Sequence, residues 1–136
     1  MISVVVLTKD NQDRIRACLE SVKWADEIII CDSGSKDKTL EIAKKYTEKI
    51  VNVDGQDFSA ARNFAMEKTS GDWVLYVDSD ERVLENLKAE IENLVKGEYS
   101  AYAISRKNII FGREVRYGPF WPDWVVRLLK RSDFES

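Results

Sequence analysis

The run Trp73-Val74-Leu75-Tyr76-Val77 is wholly apolar, and it stops at the carboxylate cluster Asp78-Ser79-Asp80-Glu81. Five consecutive apolar residues with β-branched and aromatic members predict a strand buried on both faces, the environment of a central strand in a helix-covered parallel sheet. The acids then sit at its carboxyl end. Residues i and i+2 of an extended chain project to the same side, so Asp78 and Asp80 can converge on one hard cation. The same acids would also serve to solvate a turn and cap a following helix, and the rest of the chain has to decide between the two.

Upstream, the pattern alternates. Ile2 to Leu7 is an apolar run closed by the polar turn Thr8-Lys9-Asp10-Asn11, and Ile15, Cys18, Leu19 and Val22 recur at helical spacing. Glu27 to Cys31 predicts a second buried strand ending in Asp32-Ser33-Gly34-Ser35. Ser35 or Asp37 is then placed to cap a helix carrying Leu40, Ala43 and Tyr46. Lys49 to Val53 predicts a short third strand. Asp57 is placed to cap a helix through Ala60, Ala61, Ala65 and Met66, and Leu84, Leu87, Ile91 and Leu94 mark a further helix before Gly97. This β-α-β-α-β-α-β order predicts an α/β fold: a parallel, Rossmann-like sheet with helices on both faces. Ligands of such sheets bind beyond the carboxyl ends of the strands. Asp10, Asp32, Asp78 and Asp80 all follow strands, so the topology would gather them at one edge.

Beyond Gly97 shorter strand-like pieces follow, Tyr99 to Ser105 and Ile109 to Phe111. The aromatic and proline-bearing stretch Tyr117 to Trp124 then reads as the wall of a site or as ordinary aromatic packing.

At 136 residues the chain suits one domain, and its net charge of −3 gives no global reason to bind nucleic acid. Basic residues collect between Arg106 and Arg131, which suits an anionic ligand, a membrane surface or a solvated face. The chain has no histidine, which excludes Ser-His and Cys-His nucleophilic mechanisms and His-based zinc sites within it. Carboxylates, Lys, Tyr and an activated Cys remain as acid/base candidates. Cys18 and Cys31 are placed like buried free thiols, and no signal peptide or membrane-spanning run is visible. The expected location is the cytoplasm, with peripheral association at the inner membrane face compatible with the basic stretch. A P-loop and a G-x-G-x-x-G turn are both absent. Without a glycine cradle, a diphosphate would need a bridging cation, and Asp78 with Asp80 supplies the oxygens.

Taken together, Thr8-Lys9-Asp10-Asn11, Asp32 through Thr39, Ala61-Arg62-Asn63, and Gly71-Asp72-Trp73 leading to Asp78-Ser79-Asp80-Glu81 resemble, in order, the family 2 glycosyltransferases of the GT-A fold. Trp121-Pro122-Asp123-Trp124 with Arg127-Leu128 is similar to the subgroup that includes lipopolysaccharide-core β-glucosyltransferases. The resemblance implies an inverting hexosyltransferase that moves a sugar from a UDP-sugar to a saccharide or lipid-linked acceptor of the cell envelope. It implies that Thr8 and Asp10 line the nucleoside pocket, that Asp32 hydrogen-bonds the base, that Asp78 contacts ribose or metal-bound water, and that Asp80 ligates Mg²⁺ or Mn²⁺.

Arg62 would pair with phosphate or form a helix-surface ion pair. Glu81 would support the ligands from behind or act as a helix N-terminal acid. Asp123 is the expected general base, the alternative being an ion pair with Arg127. Residues 1–98 are expected to form the donor half and 99–136 to begin an acceptor-side region of the same domain, shorter than in relatives. Two further readings stay open: a donor-binding module that lacks turnover, and a phosphotransfer domain of the response-regulator type. The second is disfavoured because the paired acids follow the fourth strand instead of the first.

Overall fold

The structure, a computed structural model, describes residues 1–105, 109–111 and 124–133. Strands β1 (Ile2–Thr8), β2 (Glu27–Asp32), β3 (Ile50–Asn52) and β4 (Trp73–Asp78) alternate with helices α1 (Ile15–Ser21), α2 (Thr39–Ala43) and α3 (Phe58–Lys68). The chain continues through β5 (Glu81–Val83), α4 (Glu85–Leu94), β6 (Ala101–Ser105), β7 (Ile109–Phe111) and β8 (Trp124–Lys130), and a 3₁₀ turn over Arg131–Asp133 follows.

The main sheet has the order β3-β2-β1-β4-β8-β6. Its first four strands are parallel, as the crossover lengths predict, and β8 and β6 extend it antiparallel beyond β4. A two-stranded antiparallel sheet pairs β5 with β7. The chain winds from β1 out to β3 and then returns to the other side of β1 as β4. That reversal opens a crevice beyond the carboxyl ends of β1 and β4.

Alternation along the strands builds two cores. Val4, Val6, Ile28, Ile30, Leu75 and Val77 face one side, against Ile15, Cys18 and Leu19 of α1, Ala43 of α2 and Leu87 and Ile91 of α4. Val5, Ile29, Cys31, Val74 and Tyr76 face the other, against Ala61, Ala65 and Met66 of α3. Small residues on α3 let it lie close to the sheet. Each fully buried large apolar side chain in these layers contributes about 1.5–3 kcal/mol relative to exposure.

The α3 cap is the one the sequence predicts: Asp57 Oδ1 accepts from the Ala60 amide at 2.7 Å. Two other local expectations are corrected. Neither Ser35 nor Asp37 is the cap residue of α2, which is Lys38. Asp37 instead accepts from the Thr39 amide at 2.9 Å just inside the helix, and α2 ends before Tyr46. Glu81 is not a helix N-terminal acid. It lies in β5 with no exposed surface, and α4 starts four residues later at Glu85.

At the amino ends of the strands, a polar cluster closes the sheet. Glu27, buried, accepts from Ser3 Oγ at 2.6 Å and from the Ser70 amide at 2.8 Å, and pairs with Lys49. The Gly71 amide donates to Ser3 Oγ at 2.9 Å.

Candidate functional site

The loops after β1 and β2 are joined by reciprocal hydrogen bonds. Asp10 adopts φ 46°, a left-handed conformation that Asp tolerates better than most residues. Its amide donates to Ser35 Oγ at 2.8 Å, and its Oδ1 accepts from the Lys36 amide at 2.7 Å. Asp32, buried, holds its own turn: Oδ2 accepts from the Gly34 and Ser35 amides at 3.1 and 3.0 Å, and Oδ1 from Ser35 Oγ at 2.5 Å. Gly34 turns there with φ +91°, and a Cβ on it would stand 2.9 Å from Asp54 Oδ2. Asp10 and Asp32 are thus linked through Ser35.

The turn after β4 is fixed from several sides. The Ser79 amide donates to the Leu7 carbonyl at 3.0 Å, Asn11 Nδ2 donates to Ser79 Oγ at 2.8 Å, and Cys18 Sγ lies 3.6 Å from the Asp78 carbonyl oxygen. Beneath it, the Asp78 amide donates to Glu81 Oε1 at 2.8 Å. Arg127 on β8 grips Glu81 with both terminal nitrogens, at 2.8 and 3.1 Å, and Nη1 also donates to the Tyr76 carbonyl at 3.3 Å. The Glu81 and Arg127 side chains are 0% and 4% exposed, so this is an interior ion pair. Burial pushes the Glu81 carboxyl up, against the opposing pull of Arg127. Arg127 therefore has Glu81 as its ion-pair partner among the described residues. Asp123, the expected base and alternative partner, lies outside them, as do Trp121 and Pro122.

An open cleft of about 430 Å³ lies over these loops, lined by Thr8, Asn11, Ser33, Asp57, Asp78 and Asp80 among others. Thr8, Asp78 and Asp80, distant in sequence, therefore meet at one edge of the sheet, while Asp10 and Asp32 brace the loops beside it. The buried Thr8 hydroxyl has no hydrogen-bond partner among the described residues. Such groups are rare in folded proteins. Arg62, half-buried on α3, lies over the Tyr76 ring with its guanidinium carbon 5.2 Å from the centroid. Burial, and then Arg127, lower its pKa, while Asp78 acts in the opposite sense.

The donor chemistry of the cleft fits a hard divalent cation. Asp78 and Asp80 offer carboxylate oxygens, and no group of three or more metal-ligating side chains gathers among the described residues. A Mg²⁺-type ion suits such a site because it takes one or two carboxylates and completes its shell with water and substrate phosphates. The cysteines add nothing to it. Burial pushes the Cys18 thiol far up, with Glu81, Asp78 and Asp80 adding to the shift, and burial pushes Cys31 up to about 12. Neither is an activated nucleophile.

Two residues of this arrangement carry roles the sequence reading did not give them. Asn11 bridges to Ser79, and Arg127 anchors Glu81. Arg127 had a visible signal, as a lone charge inside the apolar run Val125-Val126-Arg127-Leu128-Leu129.

The family model described as glycosyl transferase family 2 matches residues 3–133. A TPR repeat-containing protein of Synechococcus elongatus is 35% identical over 82% of this chain and 28% of its own length. An uncharacterized glycosyltransferase of Rickettsia bellii is 36% identical over 76% of this chain and 37% of its own. The chain thus spans well under half the length of these curated relatives. Glucosyl-3-phosphoglycerate synthase from Mycobacterium tuberculosis, solved with Mg²⁺ and uridine diphosphate, superposes with a TM-score of 0.62 at 26% identity, over 74% of this chain and 42% of that one. S. aureus TarS 1–349 shares the fold, with a TM-score of 0.61 at 22% identity over 79% of this chain and 42% of its own. The mixed sheet with its helices is the GT-A arrangement that the motifs imply. From its motifs, its fold and a match over nearly its whole length, the chain belongs to glycosyl transferase family 2.

Proposed function

We propose that this chain carries the donor site of an inverting, metal-dependent hexosyltransferase that uses a UDP-sugar and builds a cell-envelope saccharide. The observation that carries the reading is the meeting of Thr8, Asp78 and Asp80 on one cleft beyond the carboxyl ends of β1 and β4. The glucosyl-3-phosphoglycerate synthase relative has been solved with Mn²⁺ and UDP-glucose, and TarS with UDP-GlcNAc, which supports a uridine nucleotide here.

In this reading Thr8 and Asp10 stand at the nucleoside. Asp32 accepts from the uracil N–H: its Oδ1 takes one hydrogen bond within the turn, so acceptor capacity remains on that oxygen. Asp80, with Asp78 beside it, would hold Mg²⁺ or Mn²⁺, which when bound supplies positive charge to the diphosphate leaving group. Arg62, held over Tyr76, adds a cation on the phosphate side. Asp123 takes the proton of the acceptor hydroxyl as that oxygen attacks the anomeric carbon. The acceptor is a saccharide or lipid-linked glycan, supported by the resemblance of residues 121–128 to lipopolysaccharide-core enzymes. Residues 1–98 serve the donor and 99–136 begin the acceptor side.

No helix among the described residues is long and apolar enough to cross a membrane. We place the reaction on the cytoplasmic side, at the inner membrane face, on the strength of the buried free thiols Cys18 and Cys31 and the basic stretch after Ser105.

The test is a competition series with UDP-glucose, UDP-GlcNAc, GDP-mannose and ADP-glucose. Uridine donors should bind at least about tenfold more tightly, the worth of one hydrogen bond to a charged group. Equal or tighter binding of the purine donors would overturn the assignment of Asp32 and of the donor class. Tight UDP-sugar binding without turnover on any envelope acceptor would identify a donor-binding module instead.

A further inference from the structure

The Glu81–Arg127 pair lies under the carboxylate turn and meets it at the Asp78 amide. Glu81 Oε1 is shared. It accepts from Asp78 N at 2.8 Å and from Arg127 Nη1 at 2.8 Å, while Oε2 takes Arg127 Nη2 at 3.1 Å. Arg127 thus fixes both oxygens of the acid that orients the first residue of the turn. The Tyr76 carbonyl, one of its further acceptors at 3.3 Å, belongs to the strand that leads into that turn.

Taking two charges out of water is expensive, and interior ion pairs often contribute little to stability compared with apolar residues of the same size. A pair placed here does something an apolar pair cannot. It supplies an acceptor of fixed direction to a backbone amide at the edge of a ligand cleft. Groups behind metal-ligating carboxylates set ligand orientation, and their loss typically weakens metal binding while the ligands themselves remain.

We propose that Arg127 is a positioning residue for the Asp78-Ser79-Asp80 turn, acting through Glu81, and that it ties the cation-holding geometry of the cleft to strand β8. This rests on the donor-site reading given above. It concerns a residue outside the cleft, on a strand that the chain reaches long after the turn itself. The register explains how the contact arises: β8 pairs antiparallel with β4, with Leu128 opposite Leu75. Arg127 is thereby brought alongside Tyr76 and inward to Glu81.

The test compares wild type with Arg127→Lys and with the double variant Glu81→Gln/Arg127→Met. The double variant removes both charges together and strands neither in the interior, and its fold is checked by circular dichroism and thermal melting. Two quantities are read: the exchange rates of the Asp78 and Ser79 amides in ligand-free protein, by NMR, and UDP affinity by calorimetry with Mn²⁺ and with EDTA. In the double variant the Asp78 amide should exchange faster, with the β1 and β2 amides unchanged. The gain in UDP affinity that Mn²⁺ provides should shrink about tenfold or more, while affinity in EDTA stays as in wild type. Arg127→Lys, which keeps the charge but loses the two-pronged grip, should fall between.

A purely structural pair would lower the melting temperature and leave both readouts at wild-type values, and that result overturns the proposal. If wild-type protein shows no Mn²⁺-dependent UDP binding, the donor-site reading fails and takes the cation half of this inference with it. The amide exchange of the ligand-free variants then still decides whether Arg127 positions the turn.

Discussion

The side-chain amide of Asn11 donates to Ser79 Oγ across 2.8 Å, joining the loop after β1 to the turn after β4. The two loops border the same cleft, so this hydrogen bond couples its β1 side to its carboxylate side. Asn11→Ala removes that bond and leaves intact the backbone bond from the Asn11 amide to Thr39 Oγ1. We expect a loss of about 0.5–1.5 kcal/mol in urea denaturation. Metal-dependent UDP affinity should fall with it, and an unchanged affinity would show that the two loops act independently.

The polar cluster at the opposite end of the sheet gives a pH signature. Burial by itself would push the Glu27 carboxyl up, but hydrogen bonds from Lys49, Ser3 and Ser70 outweigh it and hold the carboxyl below its ordinary value. A carboxyl held low in the folded state contributes stability that is present above its unfolded value of about 4.3 and is lost as pH falls through the folded value. Glu27→Gln should therefore be less stable near neutral pH by about 1–3 kcal/mol, and the gap should close below about pH 4. Urea midpoints across that range are the measurement. Parallel profiles for the two proteins would refute the role given to Glu27.

Gly71 is required by close approach. A Cβ there would stand 2.5 Å from Ser3 Oγ, 2.8 Å from the Ser3 amide nitrogen and 3.0 Å from the Met1 carbonyl oxygen. Two of these are backbone atoms, which cannot swing aside as a side chain can. Gly71→Ala should cost about 1–3 kcal/mol of stability, read by denaturant titration, with UDP affinity in the folded fraction preserved.

How much of this could be read in advance follows from how local each signal is. Asp78 and Asp80 were legible as a pair at the sheet edge because the apolar run stops so abruptly; the i, i+2 argument from an extended chain does not carry over, since β4 ends at Asp78 and Asp80 sits in the turn that follows. Asp57 was legible as a cap because capping is decided within one turn. The two-faced core was legible because side chains alternate along buried strands.

The Glu81–Arg127 pair was not legible, since the partners are 46 positions apart and only the antiparallel seating of β8 on β4 brings them together. Read locally, an acid just ahead of Leu84, Leu87 and Ile91 looks like the start of a helix; that is one of the two readings Glu81 carries, and its place in β5 excludes only that one. Asp10 gave no warning of its left-handed backbone, and Ser35 looked like a helix cap when its hydroxyl instead joins Asp10 to Asp32.

The proposed role of Asp123 separates binding from chemistry. A base for the acceptor hydroxyl would be needed for transfer and not for the donor. Asp123→Asn should reduce transfer about 10²-fold or more with UDP-sugar affinity within about twofold of wild type. Steady-state transfer and calorimetric binding on the same preparation check this. Full transfer activity in the variant would move the base to another residue.

If Asp78 and Asp80 close a cation-assisted UDP site over the ends of β1 and β4, UDP binding depends on both the metal and Asp80. Calorimetric titration of UDP into the protein with Mn²⁺, with EDTA and with Asp80→Ala measures this dependence. Binding should be strong with Mn²⁺, weak in EDTA and about as weak in Asp80→Ala with Mn²⁺ present. UDP affinity that is indifferent to Mn²⁺ and to Asp80, or no UDP binding at all, would contradict it and return both carboxylates to the turn they terminate.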